Sequence, residues 1–370
     1  MRVLFTAPAS VGHIFPLVPV AQALRAVGHD VLFAGQTPID QLRSTGLPAV
    51  DVGDGTDLRE AFARVLPDVQ FADGERSDAE TMALGARGFA QHGRVTIEGL
   101  LAVASGWRPD VLVYAPFQAA APLVAAKLGI PAVVHNFGVS TGGTAGLLAG
   151  LLADEYRAHG LEGPAESTVL DVVPASLGGD GGGWRVRYVP FNGGGTVPAD
   201  LVGRGARRRI AVTLGTVVPE WEGIAPLKRL LEQAGGLDAE ILLAVGGTDL
   251  APLGGLPANV RPVPWVPLAQ LLDACDAVVH HGGSGTMMTA AAVGIPQLIL
   301  PHGADHFINT AAAEAYGFAL RSTTDAVDAD LLDRLLTDEA LRKSAGTIRA
   351  EIRALPSPAE LVANFESLLS

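Results

Sequence analysis

One short stretch of the sequence combines the residue types that bind phosphate. It runs from His280 to Thr286, reads HHGGSGT, and lies between an apolar run and a helical pattern. Glycine lets the backbone approach a bulky anion, and the free amides and positive dipole end of a first helical turn attract it. The alternative is a tight turn with Ser284 as the helix cap. The stretch is neither a Walker loop, since no lysine follows the glycines, nor the G-x-G-x-x-G dinucleotide fingerprint.

Three other stretches of the second half carry side chains suited to such a ligand. Gly215 and Thr216 end another apolar run, and if the two runs form adjacent strands, both turns open at one carboxyl edge and share a diphosphate. Otherwise this is an ordinary strand-to-loop turn. Asp305 and His306 lead into a helix and can hydrogen-bond sugar hydroxyls, unless Asp305 only caps the helix. Trp265 either stacks on a base or packs in the core.

The histidines of the first half suggest proton transfer. His13 follows the first apolar run, in a predicted loop at the carboxyl edge of a sheet. Imidazole titrates near neutrality and can accept the proton of an attacking hydroxyl, although a hydrogen bond from His13 to the loop backbone is the alternative. His135 ends another apolar run and is a secondary site candidate. We expect His29 to be a structural cap and His280 to lie in the core or to support the site.

The elements that position these residues alternate between strand and helix, a pattern that builds parallel sheets. The predicted strands are 2–6, 30–34, 110–114, 131–135, 209–214, 239–245, 258–263, 276–280 and 296–300. The predicted helices are 15–27, 119–128, 225–234, 286–293, 308–316, 329–337, 339–354 and 358–369. Glycine and proline are dense between residues 177 and 208, which indicates a linker. We therefore predict two Rossmann-like α/β domains, 1–195 and 196–370, facing across a ligand-binding cleft, with the last helix able to pack back on the first.

Composition excludes several classes of protein. The 370 residues include 26 Lys and Arg against 39 Asp and Glu, a net charge of −13, which disfavours nucleic acid and anionic membranes as partners. With 48% hydrophobic and 18% charged residues, global disorder is excluded. The single cysteine, Cys275, excludes an internal disulfide and a cysteine metal site and fits a cytoplasmic protein. Prolines and Lys127 interrupt the most apolar stretch, 111–134, so no membrane span is expected.

Taken together, the motifs resemble those of nucleotide-sugar glycosyltransferases of the GT-B fold. The resemblance is closest to the family-one enzymes that decorate bacterial polyketides and other natural products. The matching residues are Arg2 to Phe5 with Gly12 and His13, Arg209 to Thr216, Trp265 to Leu268, His281 to Thr286, Gly294 to Gln297, and Asp305 with Asn309.

The resemblance implies a role for each candidate residue. The donor diphosphate would be held by His281, Gly283, Ser284, Gly285 and Thr286, with Gly215 and Thr216 opposite. Trp265 and Val266 would border the nucleobase, and Asp305 and His306 would meet the sugar. His13 would be the general base, and the first half would bind the acceptor. From their places in the sequence alone, Ser10, Phe117 and His135 are candidate acceptor contacts. The implied reaction is an inverting displacement that needs no metal ion or cofactor, since amides and His281 offset the charge of the leaving group.

Two positions depart from the family pattern. Members often carry an Asp after the fourth strand that orients the catalytic histidine, and here Ala115 occupies that place. Either another group orients His13, or it acts without a partner. His306 stands where a Gln usually follows the Asp, which alters the sugar contacts. A dideoxy or amino sugar carried on dTDP fits this change, because it has fewer hydroxyls to bind.

The sequence therefore predicts an inverting glycosyltransferase that moves a deoxysugar from a dTDP donor to a polyketide or aromatic acceptor. It does not distinguish an O-linked from a C-linked product, and it leaves a homodimer open. One alternative is a nucleotide-sugar epimerase on the same architecture. Another is a non-catalytic auxiliary protein of a partner glycosyltransferase, which the intact glycine turn and Asp305 argue against.

Overall fold

The computed structural model describes residues 1–37, 39–67, 77–139, 144–179, 182–215, 223–303 and 305–369. Within it the chain forms two compact units. Unit 1 contains residues 1–175, 179–187 and 355–370, and unit 2 contains residues 176–178 and 188–354. The main change of unit falls between Arg187 and Tyr188, a few residues before the boundary predicted at 195/196. The end of the chain belongs to unit 1.

Unit 1 is built on a parallel sheet with strand order β3-β2-β1-β4-β5-β6-β7. The strands are β1 (Arg2–Thr6), β2 (Asp30–Gly35), β3 (Ala49–Asp51), β4 (Val111–Tyr114), β5 (Ala132–His135), β6 (Ser167–Asp171) and β7 (Trp184–Arg185). Every residue of β4 is buried, as expected for a central strand covered by helices on both faces. Parallel pairing places the residues that follow β1, β2, β4 and β5 at one carboxyl edge.

The helices of unit 1 pack on the faces of this sheet. They are α1 (Val11–Ile14), α2 (Val18–Ala26), α3 (Asp40–Arg43), α4 (Leu58–Val65), α5 (Asp78–Arg94), α6 (Ile97–Trp107), α7 (Ala120–Leu128), α8 (Thr144–Leu151), α9 (Ala153–Ala158) and, after unit 2, α16 (Val362–Ser367). A capping box fixes the start of α5, because Ser77 and Glu80 satisfy each other's backbone amides. Phe365 of α16 is fully buried against Trp184, which anchors the chain end to β7.

Unit 2 repeats the architecture with strand order β10-β9-β8-β11-β12-β13, again parallel. The strands are β8 (Arg209–Thr213), β9 (Glu240–Leu243), β10 (Val260–Pro262), β11 (Ala277–His280), β12 (Gln297–Ile299) and β13 (Ala319–Arg321). The helices are α10 (Leu227–Ala234), α11 (Leu268–Asp273), α12 (Ser284–Val293), α13 (His306–Tyr316), α14 (Ala329–Thr337) and α15 (Glu339–Ala354). Strands β8 and β11 are neighbours, so the turns after them open at the same edge.

None of the helices in the described ranges is both long and apolar enough to cross a bilayer.

Candidate functional site

The turn after β11 presents backbone amides at the start of α12. Gly283 is the N-cap, and the helix begins at Ser284. The first bonds within the helix run from the amides of Thr286 and Met287 to the Gly283 carbonyl. The amides of Ser284 and Gly285 belong to the first turn and have no helical carbonyl to bond. The turn can therefore hold an anion at the positive end of α12.

Two glycines leave room for the ring of His281 beside this turn. A Cβ at Gly215 would lie 2.5 Å from Cε1 of His281, and a Cβ at Gly283 would lie 2.5 Å from its Nε2. Gly215 also has a φ of +69°, which side-chain-bearing residues rarely adopt. These contacts bring the predicted turn after β8 against the predicted turn after β11. Thr216, which was assigned to the same role, lies outside the described residues.

The environment keeps the His281 ring neutral. Its side chain is buried, and its ring centroid lies 4.9 Å from that of His306. Burial lowers the pKa of His281 well below its ordinary value, and the neighbouring rings of His306, His280 and His302 lower it further. A neutral imidazole here can donate one hydrogen bond to a phosphate oxygen, and a bound anion would favour its protonation.

Asp305 is oriented by side chains and does not cap its helix through its carboxylate. Oδ2 of Asp305 accepts hydrogen bonds from Oγ of Ser284 at 2.8 Å and from Nδ2 of Asn309 at 2.7 Å. Asn309 also donates to the carbonyl oxygen of Gly282 at 2.9 Å. The alternative in which Ser284 caps α12 is therefore wrong, since Gly283 is the N-cap. Asp305 is the N-cap residue of α13, but its carboxylate bonds Ser284 and Asn309 instead of the amides of the helix. The network fixes the start of α13 to the glycine turn.

His280 supports the turn from below, as the sequence indicated. Its Nδ1 accepts a hydrogen bond from the amide of Gly282 at 3.1 Å, and its Nε2 donates to Oε1 of Gln297 at 2.8 Å. Gln297 in turn donates to the carbonyl oxygen of Met287 in α12. Both His280 and Gln297 are fully buried, so these bonds fix the ring tautomer and the path of the turn.

The remaining predicted donor residues lie in different environments. The Trp265 side chain is 51% exposed, so the core alternative for it is wrong. The Val266 side chain is buried in a core cluster that includes Val263, Leu271 and Val278. His306 is the first residue of α13, and its Nδ1 accepts a hydrogen bond from the amide of His302 at 3.3 Å.

In unit 1, His13 lies in helix α1 and not in the loop that the sequence predicted. The chain enters this helix directly after Ser10, and Ile14, the residue after His13, is buried. Three phenylalanine rings meet the imidazole nearly edge-on, with centroids at 5.2 Å (Phe89), 5.5 Å (Phe117) and 5.0 Å (Phe137). The ring is half-buried in this aromatic cluster.

The three predicted acceptor residues differ in burial and in their contacts. Ser10 is half-buried and precedes α1, whose amides its side chain does not cap. Phe117 contacts His13 directly. His135 is the last residue of β5 and is fully buried, with Nδ1 donating to the carbonyl oxygen of Asn136 at 2.8 Å. Burial lowers the pKa of His135 to about 4.

Residues near His13 that the sequence did not reveal come mainly from α5. Phe89 and His92 are three residues apart on this helix, and the protonation of His13 affects the pKa of His92. Phe89 and His92 are spaced as two residues on one face of a helix. The glycines in the segment interrupt the apolar periodicity, so the sequence did not predict a helix here.

No group of three or more His, Cys, Asp or Glu side chains able to hold a metal ion occurs in the part of the chain that the structure describes.

The chain is similar over its whole length to natural-product glycosyltransferases. The N-terminal and C-terminal domain models of erythromycin biosynthesis protein CIII-like proteins match residues 22–215 and 228–368. Elloramycin glycosyltransferase ElmGT of Streptomyces olivaceus is 39% identical, over 99% of this chain and 97% of its own length. The 3-alpha-mycarosylerythronolide B desosaminyl transferase of Saccharopolyspora erythraea is 34% identical, over 100% and 98%.

Solved structures of glycosyltransferases have the same fold. SnogD from Streptomyces nogalater superposes with a TM-score of 0.88 at 38% identity, covering 100% of this chain and 99% of SnogD. The spinosyn rhamnosyltransferase SpnG, solved with thymidine diphosphate, has a TM-score of 0.86 at 31% identity, covering 99% and 100%. The predicted fold class, GT-B with two parallel-sheet α/β domains, is confirmed.

Proposed function

The chain belongs to the erythromycin biosynthesis protein CIII-like family of glycosyltransferases, and we propose that it transfers a deoxysugar from a dTDP-sugar to a polyketide or aromatic acceptor. Unit 2 would bind the donor and unit 1 the acceptor. The observation that carries this proposal is the glycine turn at the start of α12, with the ring of His281 beside it.

The donor proposal rests on the ability of this turn to stabilise negative charge on a leaving diphosphate. As the bond between the anomeric carbon and the diphosphate breaks, charge develops on the leaving oxygen. The first-turn amides of α12 and the ring of His281 would stabilise that charge, a task that metal ions perform in other enzymes. The thymidine base would meet the exposed face of Trp265. SpnG, a structural relative, is solved with thymidine diphosphate.

The sugar would be bound at the start of α13. The Asp305 carboxylate accepts hydrogen bonds from Ser284 and Asn309. His306 follows Asp305 in the chain, so both residues lie at this end of the helix. One of the named relatives is a desosaminyl transferase, and desosamine is a deoxysugar, which supports a deoxysugar here as well.

His13 is the proposed general base. A ring nitrogen would accept the proton of the acceptor hydroxyl while its oxygen attacks the anomeric carbon and the diphosphate leaves, which inverts the configuration. The rings of Phe89, Phe117 and Phe137 surround His13 with apolar surface that suits a planar aglycone. For a C-linked product the same base would deprotonate a phenol beside an electron-rich aromatic carbon.

The test is a product assay with dTDP-deoxysugars and a panel of polyketide and aromatic aglycones, read by mass spectrometry and by NMR of the new anomeric centre. We expect a glycosylated product of inverted configuration and no change of the sugar when the donor is incubated alone. An isomerised sugar formed from donor alone would indicate an epimerase. Failure of millimolar dTDP to bind in calorimetry would indicate an auxiliary protein.

A further inference from the structure

A short segment at the start of the main part of unit 2 bonds two helices of the proposed donor site. It comprises residues 188–195, all of which belong to unit 2. From the sequence it was only part of a stretch rich in glycine and proline. In the structure its side chains bond α11, the helix that follows Trp265, and α12, the helix that follows the glycine turn.

Asn192 of this segment fixes the start of α11. Its Oδ1 accepts a hydrogen bond from the amide of Ala269, 77 residues along the chain, at 2.9 Å. Ala269 is the second residue of α11, and an amide of the first turn has no carbonyl partner within its own helix. The N-cap residue, Pro267, makes no side-chain cap. Asn192 therefore supplies the missing acceptor and holds the helix that begins three residues after Trp265.

Gly195 of the same segment lies against Trp265 itself. A Cβ at Gly195 would lie 3.0 Å from Cδ of Pro267 and 3.3 Å from Cδ1 of Trp265. A Cβ at the preceding residue, Gly194, would meet no atom within 4 Å. The segment thus touches the tryptophan ring as well as the helix that follows it.

The other contacts of the segment are with α12, which carries the glycine turn at its start. The hydroxyl of Tyr188 donates to the carbonyl oxygen of Gly285 at 3.3 Å and lies 3.4 Å from Oγ1 of Thr289. Thr289 donates to the same carbonyl oxygen at 2.7 Å. Nδ2 of Asn192 lies 3.5 Å from Oγ1 of Thr289, which is a long hydrogen bond. The Asn192 amide group therefore lies between α11 on its oxygen side and α12 on its nitrogen side.

We propose that Asn192 and Gly195 are positioning residues for nucleotide binding, which hold Trp265 at a fixed distance from the diphosphate turn. The proposal rests on the proposed dTDP site, in which the base meets Trp265 and the diphosphate meets the start of α12. One nucleotide gains affinity from both places only if their spacing is set before it binds. Neither Asn192 nor Gly195 needs to contact the ligand, because both act through the tryptophan.

The first experiment measures dTDP affinity by calorimetry in Asn192→Leu, in Trp265→Ala and in the double variant. Asn192→Leu keeps the size of the side chain but removes the acceptor for Ala269, and should raise the dTDP dissociation constant about tenfold. Trp265→Ala should raise it about 5- to 150-fold, the usual effect of losing a base–aromatic stack. In the Trp265→Ala background, Asn192→Leu should change it by less than about twofold, because the ring that Asn192 positions is gone.

Turnover separates this role from damage to the diphosphate turn. The glycine turn and His281 are intact in Asn192→Leu, so the donor KM should rise while kcat at saturating donor stays within about twofold.

Asp338→Leu is the matched control for stability. Oδ1 of Asp338 accepts a hydrogen bond at 2.9 Å from the amide of Ala340, the second residue of α15. This variant removes the same kind of bond from a helix that carries none of the proposed donor residues. It should destabilise unit 2 as Asn192→Leu does, while its dTDP affinity stays within about twofold of the unaltered protein.

Gly195→Ala tests the same claim without removing a hydrogen bond. Its new Cβ would press on Pro267 and Trp265, so dTDP affinity should fall about threefold. Gly194→Ala is its matched control and should leave the affinity unchanged, because its Cβ would meet open space. This pair decides the matter if Asn192→Leu does not fold, and equal affinities of the two glycine variants would then overturn the proposal.

Three results for a folded Asn192→Leu would overturn the proposal. The first is an unchanged dTDP affinity. The second is an equal loss of affinity with and without Trp265, since Asn192 would then not act through the ring. The third is an equal loss in Asp338→Leu, which would trace the effect to stability alone. Failure of the unaltered protein to bind millimolar dTDP would instead contradict the proposed function.

Discussion

At the residue scale, the proposed donor site depends on two glycines that leave space for the ring of His281. Gly215 and Gly283 both lie against the His281 ring, where any side chain would collide with it. Their role is therefore to let an imidazole lie between two turns of the backbone. A substitution at either glycine should act on diphosphate binding through His281.

Gly215→Ala should weaken dTDP binding at least about tenfold, because the new Cβ would lie 2.5 Å from the His281 ring and displace it. It should also destabilise unit 2 by about 1 kcal/mol, since φ is +69° there. Isothermal calorimetry gives the affinity. Gly203→Ala is the matched control, because Gly203 has a φ of +82° but no neighbouring atom within 4 Å. Equal dTDP affinities of the two variants would contradict the proposed function of Gly215.

The sequence revealed the residues of the turn but not their surroundings. The glycines and Ser284 of the turn are local signals, and the helix that follows them forms as predicted. The contacts of His281 with Gly215 and His306 join three separate segments, and no local pattern encodes them. Trp265 illustrates the same limit, since composition alone does not decide between an exposed and a buried ring.

At the element scale, a buried side-chain network ties strands β11 and β12 of unit 2 to helix α12, which we propose binds the donor. Gln297 in β12 accepts a hydrogen bond from His280 in β11 and donates one to Met287 in α12. His280 in turn accepts the amide hydrogen bond of Gly282. Through these hydrogen bonds, strands β11 and β12 fix the position of the glycine turn.

Gln297→Leu should destabilise unit 2 by about 1–3 kcal/mol, because it leaves the buried Nε2 of His280 without an acceptor. Urea unfolding gives the change. The double variant His280→Phe with Gln297→Leu should lose less free energy of unfolding than the two single variants together. In the double variant no unsatisfied His280 nitrogen remains in the core. Strict additivity of the two substitutions would argue against a coupled pair.

Strands and helices with strong periodicity were predictable, and glycine-rich ones were not. The predicted helices 329–337 and 339–354 have the bounds of α14 and α15. Helices α5 and α6 fell in a stretch without a prediction, and in α5 the apolar pattern is interrupted by Gly85, Gly88 and Gly93. Tertiary packing forms α5 despite these glycines, since Gly88 lies against the Phe62 ring and Gly93 against Ala119.

At the scale of the whole molecule, buried histidines should make both units sensitive to acid. His92 and His135 in unit 1 and His280 in unit 2 each have a pKa of about 4, chiefly because burial disfavours their charged form. The unfolded chain binds protons on these residues below its ordinary pKa of about 6.5, whereas the folded chain does not. Their contribution to stability is therefore complete above pH 6.5 and falls as the pH drops toward 4.

The free energy of unfolding should accordingly decrease between pH 6.5 and 4.5, by at most about 3 kcal/mol for each buried histidine. Urea titrations at several pH values and constant ionic strength give the slope. Trp107 and Trp184 report on unit 1 and Trp265 on unit 2 by fluorescence. Midpoints that do not change over this interval would contradict the burial of these rings.

The central claim is a division of labour, with the diphosphate bound by unit 2 and the acceptor proton taken by His13 of unit 1. Its most direct test is to measure kcat and dTDP affinity of His13→Ala together. We expect kcat to fall about 10²- to 10⁴-fold, the usual contribution of a general base, while the dTDP dissociation constant stays within about twofold. An undiminished kcat, or a loss of dTDP affinity as large as the loss of kcat, would contradict the claim.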